Sequence, residues 1–280
     1  MDDSNSFIEK LINDIQNNRI TLPSLPEVAV KVRKFVDDPR MGVPQLAKVI
    51  STDPALSARL LQVANSPFFR CLTPSSNLNI AIGRLGGVCV RNVVTSLVMA
   101  QLYKTNVSGK TKVILKENWE HSTNVAAYCG VIAKKFTRVN SEQAMLAGLV
   151  HNIGALPILN NISTQPEIAD DETSIKNIIF ENHTRVGEII LKSWEFPEEM
   201  IEAVINHENL QREHQGEADI IDVVMVGNLH ALLGSKHPLT QTKWTDIPAF
   251  EMLGLTPEES IEAMKEAKAE IQMIQRILKV

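Results

Sequence analysis

"TDPALSARLLQVANSP", residues 52–67, reads as one complete helix with both of its ends written into the sequence. Thr52 and Asp53 are N-cap candidates, because a short side-chain oxygen can accept from the backbone N–H groups that the first turn leaves free. Pro54 suits the first helical position, where no backbone hydrogen bond is lost, and Ser66-Pro67 forces an end. Between them Leu56, Leu60, Leu61 and Val63 are core candidates, with Asn65 and Ser66 as the stop. The same periodicity continues outward in both directions. Upstream, Phe7, Ile8, Leu11, Ile12 and Ile15 share one face of residues 5–16, and Val28, Val32, Phe35 and Val36 form a stripe within 26–37. Downstream, "LNIAIGRLGGVCVRNVVTSLVMAQLY" (78–103) reads as two helices hinged at Gly86-Gly87. A long amphipathic helix follows at 112–137, then 141–151, within which "MLAGLVHNIGALPIL" (145–159) begins as an alanine- and leucine-rich helix. A loop at 160–173 leads to helices at 174–194, 197–209 and 219–234. The last stretch, "TPEESIEAMKEAKAEIQMIQRIL", opens with Thr256 and Glu259 at capping-box spacing and Pro257 in the first turn. No segment alternates with period two and no Asn-Gly or Asp-Gly turn is present, so strands are not expected. The expected fold is all-α and two-lobed. The small polar stretch "KTNVSGKTK" (104–112) divides an N-terminal helical bundle, 1–108, from a histidine-bearing helical lobe, 109–280.

Composition narrows the function. With 280 residues, 44% apolar and 22% charged, the chain can bury a sizeable core and carries no segment biased toward disorder. A net charge of −5 without a long basic run argues against nucleic-acid binding through phosphate neutralisation. Cys71, Cys89 and Cys129 are odd in number and lack CxxC spacing, which fits a reducing compartment better than disulfides or a cysteine zinc site. The N-terminus, "MDDSNSFIEKLINDIQ", is acidic and amphipathic, the reverse of a secretory signal. The most apolar stretches, such as "VVTSLVMA" (93–100), are too short to span a bilayer. A cytoplasmic protein without a membrane partner is expected.

Of seven histidines, four point inward by helical spacing, each from a different helix. His121 shares a face with Ile114, Asn118, Val125 and Tyr128, and His151 follows Ala144, Ala147 and Gly148. His183 aligns with Val186, Ile190 and Trp194, and His207 continues Met200, Ile201 and Val204. Each taken singly reads as a satisfied core residue. Together they are either four such residues or a shared site, since imidazoles from neighbouring helices suit Zn, Fe or Ni. His214, His230 and His237 lack a matching row and are expected in solvent or capping roles.

The order His121, His151-Asn152, His183, His207-Glu208 resembles the HD superfamily of metal-dependent phosphohydrolases. The N-terminal half is more specific. "LPSLPEVAVKVRKFVDDPRMGVPQLAKVISTDPALSARLLQVANSPFF", followed by "LNIAIGRLGGVCVRNVV", resembles the HDOD family of HD-related output domains over about residues 18–235. The resemblance implies bacterial signal transduction, with a degenerate HD lobe behind an N-terminal bundle.

In active HD enzymes the His-Asp pair binds metal, and in dinuclear members its carboxylate bridges two ions. Asn152 keeps that shape without the charge that offsets two dications at low effective dielectric. HD-GYP enzymes carry a second His where Glu208 stands, and the GYP signature is absent. Glu208 reads here as a solvated helix residue or, beside one ion held by the imidazoles, as a nearby carboxylate. The last motif Asp aligns with Asn228 or, alternatively, with Asp222. The positions inherited from the metal site are therefore His121, His151, Asn152, His183, His207 and Asn228, with no residue assigned to catalysis. Two functions remain open. One is a non-catalytic regulatory module that needs no cofactor and acts through a protein partner or a nucleotide or anion ligand. Lys31, Arg33, Lys34 and Arg40 then offer an output surface. The other is a weakened phosphohydrolase for nucleotides or cyclic dinucleotides, holding one divalent Zn, Fe or Mn.

Overall fold

The computed structural model describes residues 2–17, 19–20, 22–69 and 73–278, so Cys71 lies outside the described residues. The first half carries α1 (Asp2–Gln16), α2 (Glu27–Asp37), α3 (Val43–Ile50), α4 (Pro54–Ala64), α5 (Leu78–Leu85) and α6 (Gly87–Met99). After an irregular stretch come α7 (Gly109–Phe136), α8 (Ser141–Val150), α9 (Ala155–Ile162) and α10 (Pro166–Ala169). They are followed by α11 (Glu172–Ser193), α12 (Glu198–Asn206) and α13 (Ile220–Leu232). The chain closes with α14 (Pro248–Met252), α15 (Pro257–Glu266) and α16 (Lys268–Leu278). The fold is all-α, with no strand among the described residues.

The helix ends follow the local chemistry. Asp53, not Thr52, caps α4, its carboxylate accepting from the Leu56 N–H at 3.0 Å. At the other end the Asn65 amide brackets Ser75, accepting from its N–H at 2.6 Å and donating to its carbonyl at 3.1 Å. Thr256 and Glu259 form the expected capping box of α15, but the final stretch breaks at Ala267 into α15 and α16. Gly86, at φ +79°, makes the corner between α5 and α6, whose axes bend by 113°.

Residues 145–159 are not one uninterrupted helix. The 3.6-residue ladder stops at Val150, and a turn at 151–154 redirects the chain into α9. Gly154 is needed there, because a Cβ would run into the His183 carbonyl oxygen and the Gly187 amide. Residues 141–162 are apolar and long enough to cross a bilayer, longer than the stretches singled out by sequence, yet 83% of their apolar 18-residue window is buried inside the protein. Its apolar surface is spent on the core.

One hydrophobic cluster runs through both halves, from Leu11, Val32 and Leu60 to Val131, Leu149 and Ile190. Fully burying side chains of this size contributes about 1.5–3 kcal/mol each. The halves are also pinned at defined points. The Lys134 ammonium on α7 donates to Glu270 of α16 at 2.6 Å and to the Phe68 carbonyl at 2.5 Å. Arg185 on α11 pairs with Glu9 of α1 at 2.6 Å. Arg33, expected on an outward charged face, instead turns to the end of α11 and donates to the carbonyls of Trp194 and Glu195.

Candidate functional site

Four helices bring the four histidines to one place. His121 lies in α7, His151 closes α8, His183 lies in α11, and His207 closes α12. Their rings form a continuous chain: centroids are 5.2 Å apart for His121–His151, 4.8 Å for His151–His207 and 5.2 Å for His183–His207. His151, His183 and His207 are at most 2% exposed.

Local helix geometry decides how these rings face. The Nδ1 atoms of His151, His183 and His207 lie 2.6, 2.9 and 2.9 Å from the carbonyls of Gly148, Ile179 and Val204. A carbonyl has no proton to give, so each Nδ1 must be the protonated nitrogen. Each Nε2 then carries a bare lone pair. That of His151 is buried with no hydrogen-bond partner, and those of His183 and His207 face one another at 3.3 Å. Two lone pairs at that separation repel unless a cation lies between them. Two nitrogens bound tetrahedrally to zinc at about 2.0–2.1 Å would stand roughly 3.3 Å apart, which is the separation found.

Glu208 is the neighbouring carboxylate. Its Oε1 lies 3.8 Å from His183 Nε2 and 4.0 Å from His207 Nε2, and its side chain is 20% exposed. It is not the solvated helix residue expected from sequence, because α12 ends at Asn206 and the chain then turns into the cleft. Burial raises its pKa to about 7, so near neutral pH it is present in both protonation states. Burial likewise pushes His121 and His183 down to about 4, and it holds His151 and His207 well below the ordinary value, with their neighbouring imidazoles acting in the same direction. All four rings are neutral at pH 7, the state in which imidazole binds metal.

The two asparagines complete the floor. Asn152 and Asn228 line the same cleft as His121, His183 and Glu208; the Asn152 Oδ1 is buried without a partner, while the Asn228 side chain lies against the His121 ring. Of Asn228 and Asp222, Asn228 is the one that lines the cleft. Asp222 faces elsewhere, caps α13 through the Asp219 backbone N–H, and binds Arg212 at 3.2 Å and His214 at 2.8 Å. With Asp219 these form an ion-pair network centred on Arg212. His230 departs from the solvent or capping role expected for it. It is 3% exposed, bonds Ser260 Oγ at 2.7 Å, and packs between Tyr128 and Trp244. His237 is a cap, accepting from the Leu239 N–H at 3.4 Å, and it also lines the cleft with its ring against Phe180. The cleft holds about 480 Å³, with Lys176 and Lys236 at its mouth.

An all-α fold with four imidazoles brought together from α7, α8, α11 and α12 defines an HD-like domain. The HDOD domain family matches residues 22–210, and the chain belongs to that family. Over its full length it resembles a provisionally named metal-dependent phosphohydrolase from Shewanella amazonensis SB2B, with 27% identity, complete coverage of both chains and a TM-score of 0.85. An HDOD domain protein of unknown function from Geobacter sulfurreducens shares the fold at 21% identity, with 96% of each chain covered and a TM-score of 0.66. A provisionally named signal transduction protein from Marinobacter aquaeolei VT8 shares it at 20% identity, covering 92% of this chain and 60% of the other, with a TM-score of 0.58. An uncharacterized protein of Treponema pallidum (strain Nichols) is 24% identical over 241 residues, 79% of this chain. The chain spans 44% of that relative's length.

Proposed function

We propose that this HDOD chain is a signal-transduction module, acting through a protein partner, whose histidine cleft binds one divalent transition metal without sustaining dinuclear phosphoester hydrolysis. The observation that carries this reading is the facing pair of unprotonated Nε2 atoms from His183 and His207 beside Glu208, three groups whose ligand atoms lie within 4.8 Å of one another. It favours the metal-bound alternative over a cleft that needs no cofactor. The residues present fit such an ion: neutral imidazole nitrogens from α11 and the end of α12, each ring held by its Nδ1–H, with the Glu208 carboxylate to offset charge and the His151 ring adjoining His207. A bound divalent ion supplies Lewis acidity toward a ligand oxygen. The chain's own groups do the rest. The buried rings orient the ligand set, the apolar helices exclude water, and Lys176 and Lys236 stand where an anion or nucleotide would enter.

The non-catalytic part rests on charge. Asn152 and Asn228 supply neutral amides, so Glu208 is the carboxylate beside the imidazoles, while Glu117, the other acid lining the cleft, is paired with Lys176; that is too little to balance two dications. The second reading, a single-metal phosphohydrolase, is favoured by one observation: Glu208 is held near pH 7, suited to passing a proton. Plasma mass spectrometry on untagged protein, followed by assays with cyclic dinucleotides and an aryl phosphodiester, separates these readings. About one equivalent of metal without turnover supports the proposal. Protein that stays metal-free after incubation with Zn²⁺, Fe²⁺ and Mn²⁺ overturns it, and turnover lost in Glu208→Gln establishes the second.

A further inference from the structure

A second cavity, of about 240 Å³, lies where α2 and α6 of the first half meet α8 and the segment joining α11 to α12. Its floor is apolar, made by Leu146, Phe196 and Met200. Its walls are rich in hydrogen-bond donors. Arg33 is fixed by two bonds, Nη1 to the Trp194 carbonyl at 2.6 Å and Nη2 to the Glu195 carbonyl at 2.7 Å, with its guanidinium 4.8 Å from the centre of the Phe196 ring. These partners position the group as neutral carbonyls, and its charge is offset in part by the carboxylates of Asp37 and Glu195 at the rim. Arg91 makes a single bond to Asp37 Oδ1 at 3.0 Å. The Asp37 side chain is 62% exposed against 27% for Arg91, so water screens the carboxylate more than the guanidinium. Glu195, the other acid at the rim, is exposed.

Asn92 is the second, independent feature. It is 5% exposed, lines the same cavity, and its Nδ2 has no hydrogen-bond partner. Leaving a buried amide donor unmet costs about 1–3 kcal/mol, so its retention beside two guanidiniums calls for an acceptor in the cavity. Burial first and the neighbouring Arg91 second lower the Arg33 pKa, and the nearby Asp37 and Glu195 carboxylates offset this only in part.

We propose that this junction cavity binds a small oxyanion, a carboxylate or a phosphate, between the Arg33 and Arg91 guanidiniums and the Asn92 amide. Bidentate guanidinium contacts suit either oxyanion, and the apolar floor accommodates the short carbon chain of a carboxylate. Bound there, the anion joins α2 and α6 to the end of α11, the helix that carries His183. It is thus a ligand input separate from the histidine cleft and independent of any metal.

The test is thermal unfolding and calorimetric titration of the full-length chain with inorganic phosphate, acetate and succinate, against chloride at matched ionic strength. A saturable rise in melting temperature with phosphate or with a carboxylate, absent with chloride, is expected, and which anion gives it identifies the ligand class. Arg91→Ala and Asn92→Ala should each weaken that binding at least tenfold. Arg91→Ala breaks only a half-exposed pair, so it should fold normally, and its melting curve without anion checks this. No saturable response to any oxyanion overturns the proposal. So does a response that persists in Arg91→Ala, or one lost in His207→Gln with Arg91 intact, which would place the anion in the histidine cleft.

Discussion

His183 and His207 face each other through Nε2 atoms 3.3 Å apart, while each Nδ1 is tied to a carbonyl of its own helix. The two rings cannot relieve this contact by swapping tautomers without breaking those bonds. A divalent cation removes the repulsion, so Zn²⁺ or Fe²⁺ should stabilise the fold by mass action, by about 2.7 kcal/mol at a free concentration 100 times the Kd. His207→Gln should abolish that gain. Melting curves across a metal titration read the effect, and a gain unchanged in His207→Gln would place the ion elsewhere.

Asn152→Asp restores a negative charge next to the imidazoles. Its Oδ1 position is already buried and unpartnered, so the carboxylate needs no rearrangement to face the site. Metal affinity measured by competition with a chelator should rise at least tenfold. The metal-free variant should be less stable than the parent, because the new charge lacks a partner. Unchanged affinity would mean that the rings and residue 152 do not act on one ion.

The parts legible in the sequence are those set locally. Asp53-Pro54 and Thr256-x-x-Glu259 cap their helices through residues three positions away, and helical spacing aimed His121, His151, His183 and His207 inward. What escaped depends on how distant segments close. Glu208 lies past the end of α12 and has no periodic neighbours, so only the fold carries it into the cleft. His237 sits in the irregular chain after α13, where no helical row leads. His230 was hidden for the opposite reason. Nearly every residue of α13 is buried, so the helix has no polar face against which a histidine stands out. For the metal positions the HDOD resemblance left Asn228 and Asp222 open. Asn228 lines the cleft while Asp222 is held in the Arg212–Asp219–Asp222 network, and residue spacing contains no sign of that network.

Acid should destabilise the protein through His230. Its ordinary pKa of 6.5 is pushed down to about 4 by burial against Tyr128 and Trp244. The folded value lies below the unfolded one, so between pH 6.5 and 4 the unfolded chain binds the extra proton. Stability is therefore full above pH 6.5 and falls with pH through that window, by about 1.4 kcal/mol per pH unit for this group. His230→Gln keeps a hydrogen-bonding group for Ser260 but cannot titrate, so its acid slope should be shallower by about one proton. Urea unfolding at pH 7, 6 and 5 measures both slopes, and equal slopes would reject the assignment.

Gly154 couples the packing of the fold to the site. A Cβ at this position would meet the His183 carbonyl and the Gly187 amide, both backbone atoms of α11 that no side-chain rotation can move aside. Gly154→Ala must therefore push α11 away from the 151–154 turn, and His183 with it. The expected cost is about 2 kcal/mol or more, as for other overpacked cores, together with weaker metal binding. Gly83 is the control: it lies within α5, and a Cβ there meets nothing within 4 Å. Gly83→Ala should stabilise the protein by about 0.4–1 kcal/mol and leave metal affinity unchanged, because alanine narrows the unfolded ensemble and suits a helix. Chemical denaturation gives both stability changes, and chelator competition gives both affinities. If Gly154→Ala lost stability but kept full metal affinity, the spacing between the turn and α11 would not be what positions His183.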